Sequence, residues 1–361
     1  MAFITLRRNT LIFAFFIFIM IVSVIVFAIF FKSDKPNENT VIPNQNHTEK
    51  PNSQATIPKE KSNTDYIKWV EFNPTYKALK EAMNADIKSQ ETETPVDWIQ
   101  LLAYLGAKYG GDFSRYKTSD LNSLLKRISD GDSIENITAD MKYYKYYYKA
   151  YDAVLSNYVG TYTKQTKDEN GNITWKTKYG LRVYSPIAEG YSYNHYDDFG
   201  NSRSYGFARK HLGHDMMGSI GTPIVAIEGG YIECMGWNQY GGWRIGIRSF
   251  DKKRYYYYAH LRKDHPYQSN LKEGDEVKPG EVIGYLGMTG YSTKENVNNI
   301  NVPHLHLGIQ LIFDESQKES NNEIWIDCYN LVKLLAENKS TVTRTENGEY
   351  FRVYDIEIPE E

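Results

Sequence analysis

Apolar and polar positions along the 361-residue chain change period several times, and each change marks an expected boundary. From Leu11 to Phe31 there are 21 consecutive residues without charge, with Ser23 the one polar interruption. At about 1.5 Å per helical residue, such a run crosses a hydrocarbon layer of about 30 Å. Arg7 and Arg8 precede it. The positive-inside rule therefore keeps the N-terminus in the cytoplasm and exports everything after Lys32. The run is longer than the roughly 7 to 15 apolar residues of a cleaved leader. It also ends in Ile29, Phe30 and Phe31 rather than small residues. Residues 1–32 are thus expected to be a cytoplasmic stub and a retained single-pass anchor in the cell membrane, with the later domains extracytoplasmic.

Residues 33–64 are rich in Asn, Pro, Thr, Lys and Glu, with Pro36, Pro43, Pro51 and Pro58 about evenly spaced. Such a stretch buries too little apolar surface to offset its ordering entropy and reads as a disordered tether. From 65 to about 160 the apolar residues recur at helical spacing, as in Tyr76, Leu79, Met83 and Ile87, then Ile99, Leu102 and Leu105. Pro95 and Asp97 signal a helix start, Gly110 and Gly111 a stop. Further helical blocks are expected over 121–128 and 134–159. The last carries Tyr143, Tyr144, Tyr146, Tyr147, Tyr148 and Tyr151, a density that must cover several helix faces and so reads as core and interface packing.

After Gly160 short apolar runs alternate with glycine turns such as Gly171, Gly180, Gly190, Gly200 and the pairs Gly229-Gly230 and Gly241-Gly242. This rhythm predicts an all-β domain over 179–320. Trp243, Ile245 and Ile247 alternate with Arg244, Gly246 and Arg248, as a half-buried strand requires. Within 321–361, Ile324 to Leu335 reads as one closing amphipathic helix and the tail beyond Ser340 as a short strand. The expected fold class is α+β and multidomain: membrane helix, small all-helical domain, all-β domain.

Composition narrows the function. Lys plus Arg is 42 against 45 for Asp plus Glu, so a net charge of −3 offers no footprint for nucleic acid. The two cysteines, Cys234 and Cys328, exclude a disulfide-dense scaffold and a Cys-rich zinc knuckle, and leave open whether they pair in an oxidising compartment. Six of the eight histidines fall between 211 and 306. In His211-Leu-Gly-His-Asp215 on an extended strand, residues four apart share a face, so His211 and Asp215 converge while His214 points away. In His304-Leu-His306 the two imidazoles again share a face. Three or four N and O groups from two strands are what an open catalytic zinc site uses, with a position left for water. No HExxH helix is present, which excludes a helical zincin.

These segments stand in order with Gly221-Thr-Pro-Ile-Val-Ala226, Tyr258-Ala-His-Leu261, Glu273-Gly-Asp275 to Gly280, Ile283-Gly284 and Gly287-Met-Thr-Gly290. In order and spacing, residues 180 to 312 resemble the lysostaphin/LytM-type zinc endopeptidases. The resemblance implies that family's duplicated-hybrid-motif β fold, with one zinc per chain held by His211, Asp215 and His306. It implies catalytic roles for His304 and His260, and peptidoglycan peptides as substrate. His304 would take the proton of the attacking water and His260 would hydrogen-bond the developing oxyanion, with Tyr205 as a helper. His214 stands where many members have an apolar residue.

The segment Leu101 to Gly111 with the tyrosine-rich helix resembles lysozyme-like transglycosylases, but Lys108 stands where those need a glutamic acid. A degenerate module is therefore expected, positioning glycan, binding a membrane or wall protein, or purely structural. Two other classes compete with the peptidase. One is a catalytically quiet scaffold on the same fold, binding cell wall or a membrane partner, from which the full set of five residues argues away. The other is a lipoyl- or biotinyl-like carrier, for which Lys278 lacks a tight hairpin tip.

Overall fold

The computed structural model describes residues 66–204, 208–318 and 320–359. The expected anchor and tether lie outside the described residues. No helix among the described residues is long and apolar enough to cross a membrane.

Helices Tyr76–Ser89 and Trp98–Tyr109 begin where a side-chain oxygen can accept the free amides of a first turn. Thr75 accepts from Ala78, and Asp97 from Ile99 and Gln100. Gly110, at φ 65°, closes the second helix in the left-handed region, where a side chain would be strained. Start and stop fall where Asp97 and Gly110 place them. The block expected over 134–159 is instead two helices, Ile134–Thr138 and Tyr144–Leu155. It breaks after Thr138, whose hydroxyl bonds back to the Ile134 carbonyl. Tyr151 is fully buried and the Tyr147 ring lies against Gly106, whereas Tyr143 and Tyr148 are exposed. Lys108 pairs with Asp120.

A nine-by-nine hairpin, Val159–Lys167 with Ile173–Leu181, follows directly. Its first strand is largely Thr, Lys and Gln, while the second alternates Ile173, Trp175 and Tyr179 with Thr174, Lys176 and Lys178, although Ile173 and Trp175 stay exposed. An eight-stranded antiparallel sheet carries the rest. Its strands run in the order Glu276–Val277, Gly230–Asn238, Gly242–Ser249, Arg254–Ala259, His304–Leu311, His214–Met217 and Asn194–His195, with Ile324–Trp325 beside the end of His304–Leu311. Leu305, Leu307, Ile309, Met216, Tyr256 and Tyr258 are fully buried on the core face. Ile224 and Ile283, from the small sheet Pro223–Val225 with Val282–Tyr285, join the same core.

Three expectations are corrected. Gly242–Ser249 is buried on both faces, because Arg248 lies under the 315–318 turn, bonding the Lys252 carbonyl and Glu315. Ile324 to Leu335 is not one helix: Ile324 and Trp325 complete the unpaired edge of His304–Leu311, and the helix Tyr329–Leu335 starts only after Asp327 accepts the Tyr329 amide. The tail forms a hairpin, Val342–Arg344 with Tyr350–Arg352, before its last strand Ile356–Glu357 pairs with Val159–Lys167. Cys234 and Cys328 are both free thiols.

Arg254 joins the helical region to the sheet. It is fully buried, forks onto Glu228 at 2.8 and 2.9 Å, and donates to the Ala153 carbonyl and Ser156 hydroxyl, both at 2.9 Å. A carbonyl near the end of helix Tyr144–Leu155 is thereby satisfied by a residue of the central sheet. Beside it, the Tyr158 and Tyr256 hydroxyls meet at 3.1 Å.

Candidate metal centre and catalytic site

Strand register brings the first three residues together. His214–Met217 pairs with His304–Leu311 so that Asp215 stands directly opposite His306. His211 enters on extended chain held by the 198–201 turn: the Gly200 amide donates to the His211 carbonyl at 2.7 Å and the His211 amide to the Asn201 carbonyl at 2.9 Å. His211 Nε2 lies 3.0 Å from Asp215 Oδ1 and 3.1 Å from His306 Nδ1, and those two atoms are 2.9 Å apart. Gly213 makes room for this triangle, since a Cβ there would sit 2.5 Å from the His306 ring.

The donor set fits zinc: two imidazole nitrogens and one carboxylate oxygen, each able to offer a lone pair to a common point. His211 Nδ1 lies 3.3 Å from the Asp198 main-chain carbonyl, which only accepts, so that nitrogen carries the hydrogen and Nε2 is left free for the triangle. Arg203 bonds Asp198 and reaches Asp215 Oδ2 at 3.4 Å. Burial alone would push the Asp215 carboxyl up, but hydrogen bonds from His211 and His306 outweigh it and hold the group well below the ordinary range. His211 is raised because its bond to Asp215 overcomes the opposing effect of burial. In His306 burial prevails over the same carboxylate and the value falls.

His304 and His260 complete the cavity, which has a volume of about 560 Å³. Their rings are 4.8 Å apart, and that of His260 is 5.8 Å from His306. His304 Nδ1 lies 2.8 Å from the Val302 carbonyl and His260 Nδ1 2.8 Å from the Thr289 carbonyl. A carbonyl only accepts, so both rings carry their hydrogen on Nδ1 and leave Nε2 as an acceptor. His304 Nε2 is 3.7 Å from Asp215 Oδ1. Burial, then the charges of His304 and His306, push His260 well below its usual value.

Strict alternation would put His260 on the core face with Tyr256 and Tyr258. The strand instead ends at Ala259, and His260 takes a left-handed φ of 60°, which turns its ring into the cavity. His214 does lie on the opposite face from Asp215, buried, with its Nε2 2.8 Å from His195 Nδ1 and its ring against Tyr329. Burial and then His195 push it down to about 3, so it is neutral. His265 pairs with Glu349 outside this cavity. Tyr205 lies outside the described residues.

Asp198 and Arg203 carry no signal in the sequence, and although Gly213 and Thr289 lie within segments that carry the resemblance, nothing in those segments announces their roles beside His306 and His260. Asp198 sits in a polar turn and Arg203 in the three-residue strand Ser202–Ser204, too short and polar to show a period, and Thr289 acts on His260 through its carbonyl, which every residue possesses.

A model described as peptidase family M23 matches residues 209–321. Over 124 residues the chain is 39% identical to an L-Ala--D-Glu endopeptidase of Bacillus subtilis, covering 34% of this chain and 36% of that one. Over 147 residues it is 34% identical to the glycyl-glycine endopeptidase ALE-1 of Staphylococcus capitis, covering 40% and 33%. The solved catalytic domain of lysostaphin from Staphylococcus simulans is 34% identical, with 39% of this chain and 92% of that one covered and a TM-score of 0.30. The chain spans about a third of the length of these two curated relatives.

Proposed function

We propose, from the premise that residues 209–321 are a peptidase family M23 domain of the lysostaphin/LytM type, that this chain is a zinc endopeptidase cleaving stem peptides or cross-bridges of peptidoglycan. The observation that carries this reading is the triangle of His211 Nε2, Asp215 Oδ1 and His306 Nδ1, with the Nε2 acceptors of two further histidines in the same cavity. His211, Asp215 and His306 would hold the metal. Bound there, zinc would supply Lewis acidity toward water and a peptide carbonyl.

The remaining steps belong to the chain's own groups. His304, with Nδ1 fixed on the Val302 carbonyl, accepts a proton from the attacking water at Nε2 and returns it to the leaving amine. The tautomer of His260 gives it an acceptor at Nε2, so its neutral ring orients the same water rather than donating to an oxyanion. Arg203 and Asp198 keep Asp215 and His211 in place from behind.

The apolar run Leu11–Phe31 supports retention in the membrane, with the peptidase domain outside the cell and reaching the wall layers nearest the bilayer. Elemental analysis together with digestion of purified peptidoglycan tests the enzyme reading. One zinc per chain, lost in Asp215→Ala along with hydrolysis, is expected. Zinc content unchanged by that substitution, or no new peptide termini, would defeat it. A soluble secreted form beginning near residue 32 would remove the anchor and leave the peptidase.

A further inference from the structure

Arg209, delivered by strand Ala208–Lys210, stands in the wall of the catalytic cavity. Its guanidinium carbon is 5.0 Å from the centre of the Tyr291 ring and 6.0 Å from that of Tyr240, and it donates to the Tyr291 hydroxyl. Its Nε is buried and has no hydrogen-bond partner among the described residues. Among the described residues no carboxylate pairs with it, and the adjoining Tyr205-Gly-Phe207 contains no acid. Arg203 in the same cavity is by contrast neutralised by Asp198 and Asp215.

Aromatic faces offset only part of the cost of desolvating a cation. The remainder is recovered when an anion arrives, and the planar fork of a guanidinium matches a carboxylate. Tyr291 also packs 5.8 Å from the His260 ring, so the guanidinium carbon is no farther than about 11 Å from that ring. That distance is about three residues of extended peptide at roughly 3.3–3.6 Å each.

We infer that Arg209 is a recognition site for a carboxylate on the peptide substrate, borne within about three residues of the scissile amide, and that it makes the enzyme selective for acidic peptides. This rests on the peptidase reading above. It is tested with pairs of peptides built around the bond cut in peptidoglycan, each pair alike except that one residue, placed in turn at each of the three positions on either side of the scissile amide, carries a carboxylate in one and a carboxamide in the other. In at least one pair the full zinc-loaded chain should prefer the carboxylate by roughly ten- to hundredfold in kcat/KM, mainly through KM, and the preference should shrink with salt. Arg209→Gln should bring the two peptides of that pair to equal kcat/KM. Arg209→Lys, which keeps the cation without the fork, should keep part of the preference and serves if the Gln variant does not fold. Equal cleavage within every pair by the unaltered chain would overturn the inference, as would a preference that survives in Arg209→Gln. Failure of the peptidase reading is distinct: the unaltered chain would then cleave neither the peptides nor intact peptidoglycan, and the Arg209 site would fall with it.

Discussion

At the residue scale, two histidines outside the donor triangle are set by main-chain carbonyls, His304 by Val302 and His260 by Thr289. Neither ring belongs to the triangle, so His304→Ala and His260→Ala should each cut turnover by about two to four orders of magnitude while zinc stays bound. Loss of metal together with activity would instead put the substituted residue among the ligands. The convergence of His211 with Asp215, and of His304 with His306, was legible because a two-residue period fixes which side of a strand each occupies. The direction of His260 was not, because a single left-handed residue reverses it and nothing in Tyr-Ala-His-Leu announces that φ. Glycine and asparagine advertise such conformations; a buried histidine held by Thr289 does not.

At the scale of elements, strand Arg254–Ala259 does two jobs, its first residue binding the helical region and its last leading into His260. Arg254→Ala leaves Glu228 and Asp251 in place without their shared cation, and should cost about 3–5 kcal/mol in urea unfolding. Adding Glu228→Gln should recover part of that loss, since one stranded charge is then gone. If the double variant is no more stable than the single one, the damage comes from lost packing rather than from the uncompensated carboxylate. Helix ends were readable where a side chain or a glycine makes them, at Asp97 and Gly110. The hairpin 159–181 was not, because its first strand is largely polar and the stripe of the second turns Ile173 and Trp175 to solvent rather than to a core. Ile324 and Trp325 have helical spacing to the residues that follow, yet an open sheet edge decides their conformation.

At the scale of the whole molecule, the described helices and sheet share one continuous core, in which Leu101, Leu105 and Tyr151 belong to the same cluster as Tyr256 and Leu307. The described body, residues 66–359, should therefore unfold in a single transition by both far-UV dichroism and tyrosine fluorescence. Two separated transitions would mean that the helical region and the β domain fold apart. The sequence shows a change of rhythm near Gly160 and invites a domain boundary there. Contacts such as Tyr158 with Tyr256 or Asp152 with Lys253 join residues about a hundred positions apart and leave no local trace.

Register has a further consequence, one of timing. Asp215 and His306 are 91 positions apart, and they meet only when the strand bearing His306 is aligned with its neighbours on both sides. A slip of one residue in that pairing would turn His306 into the core and carry Leu305 or Leu307 into its place. Such long-range pairing is the slow part of assembling a β domain, because the entropy of closing the intervening chain is lost before the contacts are gained. The donor triangle is thus a product of the finished sheet and cannot serve as a nucleus for it. On the proposed peptidase reading, a newly made molecule would complete its sheet before it could hold zinc, and hydrolysis would begin only when an ion from the surrounding medium reached that sheet.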